Sequence, residues 1–201
     1  MNSAKRSYGL GLAEVVVCVG LLTMLSGLVF FIFDIGSASW RQTDVGSQIR
    51  KQAAVVIGDL TRQVERSAFT SLSIDGEAVS FLTALDSSGN VHLGPDGKFL
   101  WQAYLIYYRD SAEGLLLKSR HELAGPLFTP IPIENFDDGS GPKPLADYLF
   151  NGRRLAQDVT IFQPSTTADR RLEIELTLSR LGTRNRVPAE FTLSSNVVFR
   201  N

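Results

Sequence analysis

Cysteine is almost absent from this 201-residue chain. Cys18 stands alone inside an apolar run, so no intramolecular disulfide can form and thiol usage says nothing about the redox compartment. Apolar surroundings disfavour the thiolate, so Cys18 reads as a small lipid-facing or helix-facing residue, not a reactive one. Histidine is nearly as scarce. His92 and His121 are isolated, with no second histidine or cysteine at ligand spacing, which removes the usual zinc patterns and leaves them surface or cross-strand packing roles. Excess charge is missing too: twenty basic residues face twenty-one acidic ones, the net charge is −1, and bulk charge gives no attraction to nucleic acid. Gly-x-Ser-x-Gly, P-loop and dinucleotide fingerprints are lacking. Glu173 and Glu175 fall at alternate positions of a strand-like run, with no pocket implied. The expectation is a chain that is not an enzyme and needs no cofactor. No internal repeat or low-complexity tail is evident.

What the sequence does hold is unevenly spread. The length allows one ordinary domain plus an appendage. From Val15 to Phe33, VVVCVGLLTMLSGLVFFIF runs for 19 residues without a charge, about the length a helix needs to cross the hydrocarbon core of a membrane. A cleaved secretory signal would be shorter and would end on small residues, whereas Phe30, Phe31 and Phe33 close this run. Lys5 and Arg6 precede it, and Asp34 follows it before Trp40 and Arg41. The positive-inside bias therefore predicts a single pass through the cytoplasmic (inner) membrane, N-terminus cytoplasmic and C-terminal domain extracytoplasmic or periplasmic. Membrane lipid is the first expected partner.

Glu14 does not fit a plain anchor. A carboxylate at the mouth of an apolar span is expensive unless it is paired or close to the interface, which makes it a functional candidate. A cut after Gly9 would create an α-amino cation on Leu10, four residues before Glu14. The two could meet within one helix, or Glu14 could reach the amine of a neighbouring subunit and set register between them.

The stretch Gly9-Leu10-Gly11-Leu12-Ala13-Glu14, behind a short basic leader and ahead of an uncharged helix, resembles the type IV prepilin (class III) signal. It departs from that family's usual pattern with Leu10 in place of Phe, Gly11 in place of Thr and Ala13 in place of a branched residue. The resemblance implies removal of residues 1–9 by a membrane prepilin peptidase that cuts between Gly9 and Leu10. It also implies methylation of the new N-terminus at Leu10, and Glu14 as the assembly carboxylate. Expected partners are then the peptidase and other minor and major pilins or pseudopilins. The rival expectations are a type IV minor pilin or competence pseudopilin, which shares every N-terminal feature, and an uncut membrane-anchored binding or sensor domain.

Beyond the span the apolar pattern becomes a stripe: Val45, Ile49, Ala53, Val56, Leu60 and Val64 recur at spacings of three and four. Arg41, Asp44, Arg50, Lys51, Asp59, Arg62 and Arg66 lie between them as a water-facing side. The pattern predicts one helix from about Leu12 to Ala68. Residues 10–35 form its membrane half and 36–68 its amphipathic half, with a bend plausible near Gly36 because glycine weakens a helix interior. Residues 69–201 predict an antiparallel β-rich domain, the whole being α+β. Its strands are Val79–Leu85, Phe99–Arg109, Gly114–Leu123, Leu155–Gln163, Arg171–Leu181 and Ala189–Arg200. The short Asp-Ser-Ala-Glu-Gly stretch between the second and third reads as a hairpin turn. Prolines 126, 130, 132, 142 and 144 mark 125–144 as an irregular loop. Within that loop Asp137 and Asp138, with Glu134 as a third oxygen donor, are weak calcium candidates, since the Asp-x-Asp-x-Asp-Gly register is missing. Trp101, Tyr104, Tyr107 and Tyr108 crowd one strand, and the imperfect alternation predicts that some face solvent as a subunit interface or pack as core and edge. The plan of long helix plus sheet plus loop is similar to minor pseudopilins. Trp101–Tyr108, Leu117–Arg120 and the closing Phe199-Arg200-Asn201 look most like the J-type subunit of type II secretion.

Overall fold

The computed structural model describes residues 11–181 and 188–199, apart from the side chains of residues 38, 41 and 42. The chain divides into two units, residues 1–44 and 45–201. One helix, α1 (Leu12–Glu65), contributes to both and contains Gly20, Gly27, Gly36, Gly46 and Gly58 without a break in helical residues. The residues on both sides of Gly36 are helical, so the glycine does not end the helix.

In the second unit α1 is held by its apolar stripe. Ile49, Ala53, Val56, Leu60 and Val64 are buried and Val45 is partly covered. Spacings of three and four put these side chains on one face, so a single docking contact buries them all. They meet β2 (Ala78–Thr83), β3 (Trp101–Asp110), β6 (Val159–Thr166), β7 (Arg171–Leu181) and β8 (Pro188–Val198) through Val79, Phe81, Leu105, Tyr107, Phe162, Leu172, Ile174, Leu176 and Val197.

Among the described residues there are two antiparallel sheets where the sequence predicted one. The first has five strands in the order β1-β2-β3-β4-β5, with β1 at Ser73–Asp75, β4 at Leu115–Leu127 and β5 at Arg153–Ala156. The second has three, β6-β7-β8. The predicted strand Leu155–Gln163 is therefore two strands, and they belong to different sheets. The break falls at Asp158, whose backbone has φ 61°, a left-handed turn that ends pairing with β4. Its carboxylate receives the Arg180 Nε hydrogen bond at 2.7 Å, which holds the corner against β7. Arg109 joins the sheets a second time by donating to the Val159 carbonyl at 2.9 Å. The β3–β4 hairpin forms as expected: Asp110 accepts the Ala112 N–H at 2.9 Å, and Gly114 takes φ 63°.

The irregular loop also starts later than predicted. Strand β4 continues through Gly125 and Pro126 to Leu127, pairing Leu127 with Trp101 beyond a register shift. Proline is tolerated there because β4 pairs past the shift on one side only. Short 3-10 helices at Ile133–Asn135 and Leu145–Tyr148 then plug Ile133, Leu145 and Tyr148 into a second core with Leu82, Trp101, Tyr104, Ile106 and Tyr108. Of the two expectations for the aromatic strand, packing is the one that holds, and no solvent-facing aromatic interface forms on it. Leu105 and Tyr107 face the α1 side, Tyr104, Ile106 and Tyr108 face the loop side, and Trp101, Tyr104, Tyr107 and Tyr108 are all buried. The proline-rich segment is a lid on the far face of β3, so no aromatic of that strand is left for a partner.

Candidate functional site: the start of the helix and its apolar face

Gly9 and Leu10, the predicted cleavage and methylation positions, lie outside the described residues. Glu14 is described, and its surroundings follow from how a helix begins. The first turn leaves backbone N–H groups without partners inside the helix. Gly11 is the capping residue, since its carbonyl accepts the Glu14 N–H at 2.9 Å and the Val15 N–H at 3.2 Å. Glu14 then sits in the third helical position, and its side chain turns back so that Oε2 accepts the Gly11 N–H at 3.1 Å. That is the acidic half of a capping box, with negative charge at the positive end of the helix dipole. The glutamate expected to need a partner therefore has one in the uncut chain.

From Leu12 to Ser37, α1 is long and apolar enough to cross a membrane. At 1.5 Å per residue its 26 residues extend about 39 Å, against a hydrocarbon core of about 30 Å. Its apolar side chains are uncovered within the chain: Leu22, Met24, Phe30 and Phe33 are among the most exposed, and Cys18 is exposed with them. Hydroxyl groups in this stretch are satisfied inside the helix. Thr23 donates to the Val19 and Gly20 carbonyls, Ser26 to Leu22 at 2.8 Å and Ser37 to Asp34 at 3.0 Å. In lipid, where water is lacking, such back-bonding removes the cost of burying a hydroxyl.

The β-rich unit has its own polar centre, which sequence reasoning missed. Asp59 was assigned to the water-facing side of α1. In the fold its Oδ2 accepts the Tyr107 hydroxyl at 2.8 Å and the Lys118 ammonium at 2.7 Å, tying α1 to β3 and β4. Lys118 Nζ also lies 5.1 Å from the Tyr107 ring centroid. Burial, with the Asp59 carboxylate second, pushes the Tyr107 hydroxyl well above its ordinary range, so it acts as a proton donor only. The available signal was that Asp59 stands three residues after Val56, at the rim of the apolar stripe.

The calcium candidates Asp137 and Asp138 are engaged by groups of their own loop. Asp137 Oδ1 accepts the Gly139 and Gly141 N–H groups at 2.8 Å, and Asp138 is paired with Lys143 at 2.9 Å while accepting the Ser140 N–H. The Lys143 hydrogen bond, then the Ser140 N–H, hold the Asp138 carboxyl at about 2. A site already neutralised by an ammonium is a poor fit to a divalent ion. Glu134 is elsewhere, accepting the Ser73 hydroxyl at 2.6 Å. Among the described residues no three His, Cys, Asp or Glu side chains gather as metal ligands.

The two histidines lie in separate surroundings, His92 at the surface and His121 against aromatic rings. His92 Nε2 is 2.8 Å from Asp86 Oδ2. His121 lies edge-on to Tyr148 at 5.1 Å and to Phe136 at 6.2 Å, and burial lowers its pKa below the usual 6.5. A histidine that folds neutral but protonates when unfolded loses stability as pH falls through its unfolded value. Stability should therefore decline as pH drops below about 6.5. In His121→Phe that slope should flatten, as read by urea midpoints from pH 7.5 to 5. An unchanged slope would assign the decline to other groups.

Compared with models of known families, with curated proteins and with solved structures, the chain matches none. The chain itself offers one N-terminal helix long and apolar enough to span a membrane, a carboxylate at the first turn of that helix, and an α+β arrangement with antiparallel sheets.

Proposed function

We propose that this chain is a prepilin-like subunit, a minor pseudopilin or pilin of a type II secretion or type IV pilus-like filament, processed after Gly9 and assembled through α1. In this reading it is a single-pass protein of the inner membrane with its β-rich domain on the periplasmic side. The domain is of pseudopilin type, closest to the J-type subunit. Its partners are a prepilin peptidase, membrane lipid and neighbouring pilin-like subunits.

The observation that supports this best is the aim of Glu14. Its carboxylate already points toward the start of the helix, at the N–H of Gly11. Removal of residues 1–9 would place the Leu10 ammonium directly before that N–H. The carboxylate could then exchange a neutral donor for a cation, its own or that of an adjacent subunit, and charge-assisted bonds are roughly twice as strong as neutral ones. The apolar side chains of Leu12–Ser37, uncovered within one chain, would pack against lipid before assembly and against other helices after it.

The bond that Glu14 makes to Gly11 without any cut favours a second reading, an uncut anchored binding or sensor domain in which the glutamate only starts the helix. Co-expression with a prepilin peptidase, followed by intact mass and N-terminal sequencing, separates the two. The expected mature chain begins at Leu10. A chain that retains residue 1, or is cut beyond Phe33, refutes the proposal. Glu14→Ala should leave insertion and cleavage intact while lowering incorporation into filaments about tenfold, the equivalent of about 1.4 kcal/mol. Normal incorporation would reduce Glu14 to a helix cap.

A further inference from the structure

The two sheets have four edges, and three are blunted. Strand β1 spans three residues and β5 four. Strand β6 is longer, but Pro164 lies within it and its register shifts between Val159 and Ile161. Short length, proline and bulges are the devices by which sheets prevent unwanted pairing. Strand β8 has none of them past its first residue. It runs eleven residues from Pro188 to Val198, pairs with β7 from end to end without a register shift, and carries one charge, Glu190. Among the described residues nothing pairs with its other side.

The side chains of β8 are as selective as its backbone. Ala189, Phe191 and Leu193 face the core that includes α1, but they are only partly buried. Glu190, Thr192, Ser194 and Asn196 alternate with them and are exposed. A strand laid along β8 would complete the cover over Phe191 and Leu193 while leaving its own alternate residues in water.

We infer that the free edge of β8 is a strand-addition site, which takes an extended segment of another polypeptide with apolar residues at alternate positions. Main-chain hydrogen bonds supply affinity, and Phe191 and Leu193 supply the preference for apolar neighbours. A second copy of this chain is the poorer occupant. Arg50 lies over the Phe191 ring at 5.9 Å, and Phe69 meets Phe199 edge-on at 5.4 Å, so β8 runs in the same sense as α1. Two copies joined antiparallel through β8 would have their Val45 ends at opposite ends of the shared sheet, which does not suit two chains anchored in one membrane. The edge itself exists whether or not Gly9 is cut, so failure of this inference and failure of the prepilin reading are separable.

The test uses the full chain in lipid nanodiscs and a fluorescent peptide with the sequence of Arg171–Leu181, the strand that β8 already accepts on its other side. Two N-methylated peptides are compared, one modified at Leu172, Ile174, Leu176 and Leu178, the other at Glu173, Glu175, Thr177 and Ser179. Alternate N–H groups of a strand point to the same edge. One methylated peptide should therefore lose binding at least about tenfold and the other should keep it. Ser194→Pro and Ser195→Pro provide the matching protein variants. One removes an N–H bonded to β7 and lowers the melting temperature. The other removes an outward N–H, keeps the fold and loses the peptide. Equal binding by both methylated peptides, binding to empty nanodiscs alone, or no binding to the unaltered chain overturns the inference. Capture of disulfide-linked dimers by Thr192→Cys in a Cys18→Ala background would overturn the choice of partner.

Discussion

Leu60→Ala should destabilise the β-rich unit by about 3 kcal/mol, while Leu22→Ala on the same helix should change its stability by less than about 0.5 kcal/mol. Leu60 is fully buried among Val56, Val64 and the inner faces of the strands, so truncation removes apolar contact and leaves a cavity that the rigid sheets cannot close. Leu22 is 66% exposed within the chain and supports no core. The measurement is urea unfolding of the detergent-solubilised chain, followed by near-ultraviolet circular dichroism of the buried Trp101 and tyrosines. Equal midpoints for the two variants would mean that α1 is not part of the domain's core.

Asp59→Ala should cost nearly as much, about 2 to 4 kcal/mol, for a different reason. The substitution removes little packing. It strands the Lys118 ammonium, whose side chain is 17% exposed, together with a buried tyrosine hydroxyl. The loss is thus the cost of leaving partners unsatisfied, not the worth of the ion pair. Combining Asp59→Leu with Lys118→Met and Tyr107→Phe should recover most of it, because apolar groups of similar shape replace the whole network. If the triple variant is no more stable than Asp59→Ala, the polar centre contributes through geometry that apolar packing cannot reproduce.

These variants act on features that differ in how openly the chain displays them. Leu60 belongs to a stripe that can be read by counting three and four. Asp59 is one residue away, and no local rule distinguishes a carboxylate at the rim of a stripe from one in water; that depends on Lys118 arriving from β4. Glu14 is intermediate. Its position before Val15 marked it, but its bond to Gly11 emerged only once the helix start was located at Leu12. Asp137 and Asp138 had the right chemistry for calcium on paper, and Lys143, five residues beyond Asp138, took up one carboxylate.

Helix α1, its uncharged span, the stripe at Val45–Val64 and the alternation of Arg171–Leu181 were determined by the sequence alone. Each is a local periodicity, carried by neighbours within a turn or two of chain. The tertiary structure decided what lies over each face and beside each edge. It split Leu155–Gln163 between two sheets at Asp158, covered the aromatics of β3 with Ile133, Leu145 and Tyr148, and left β8 open. A period of two says that a strand has two faces but not what covers them, because the covering residues come from segments far away in the chain.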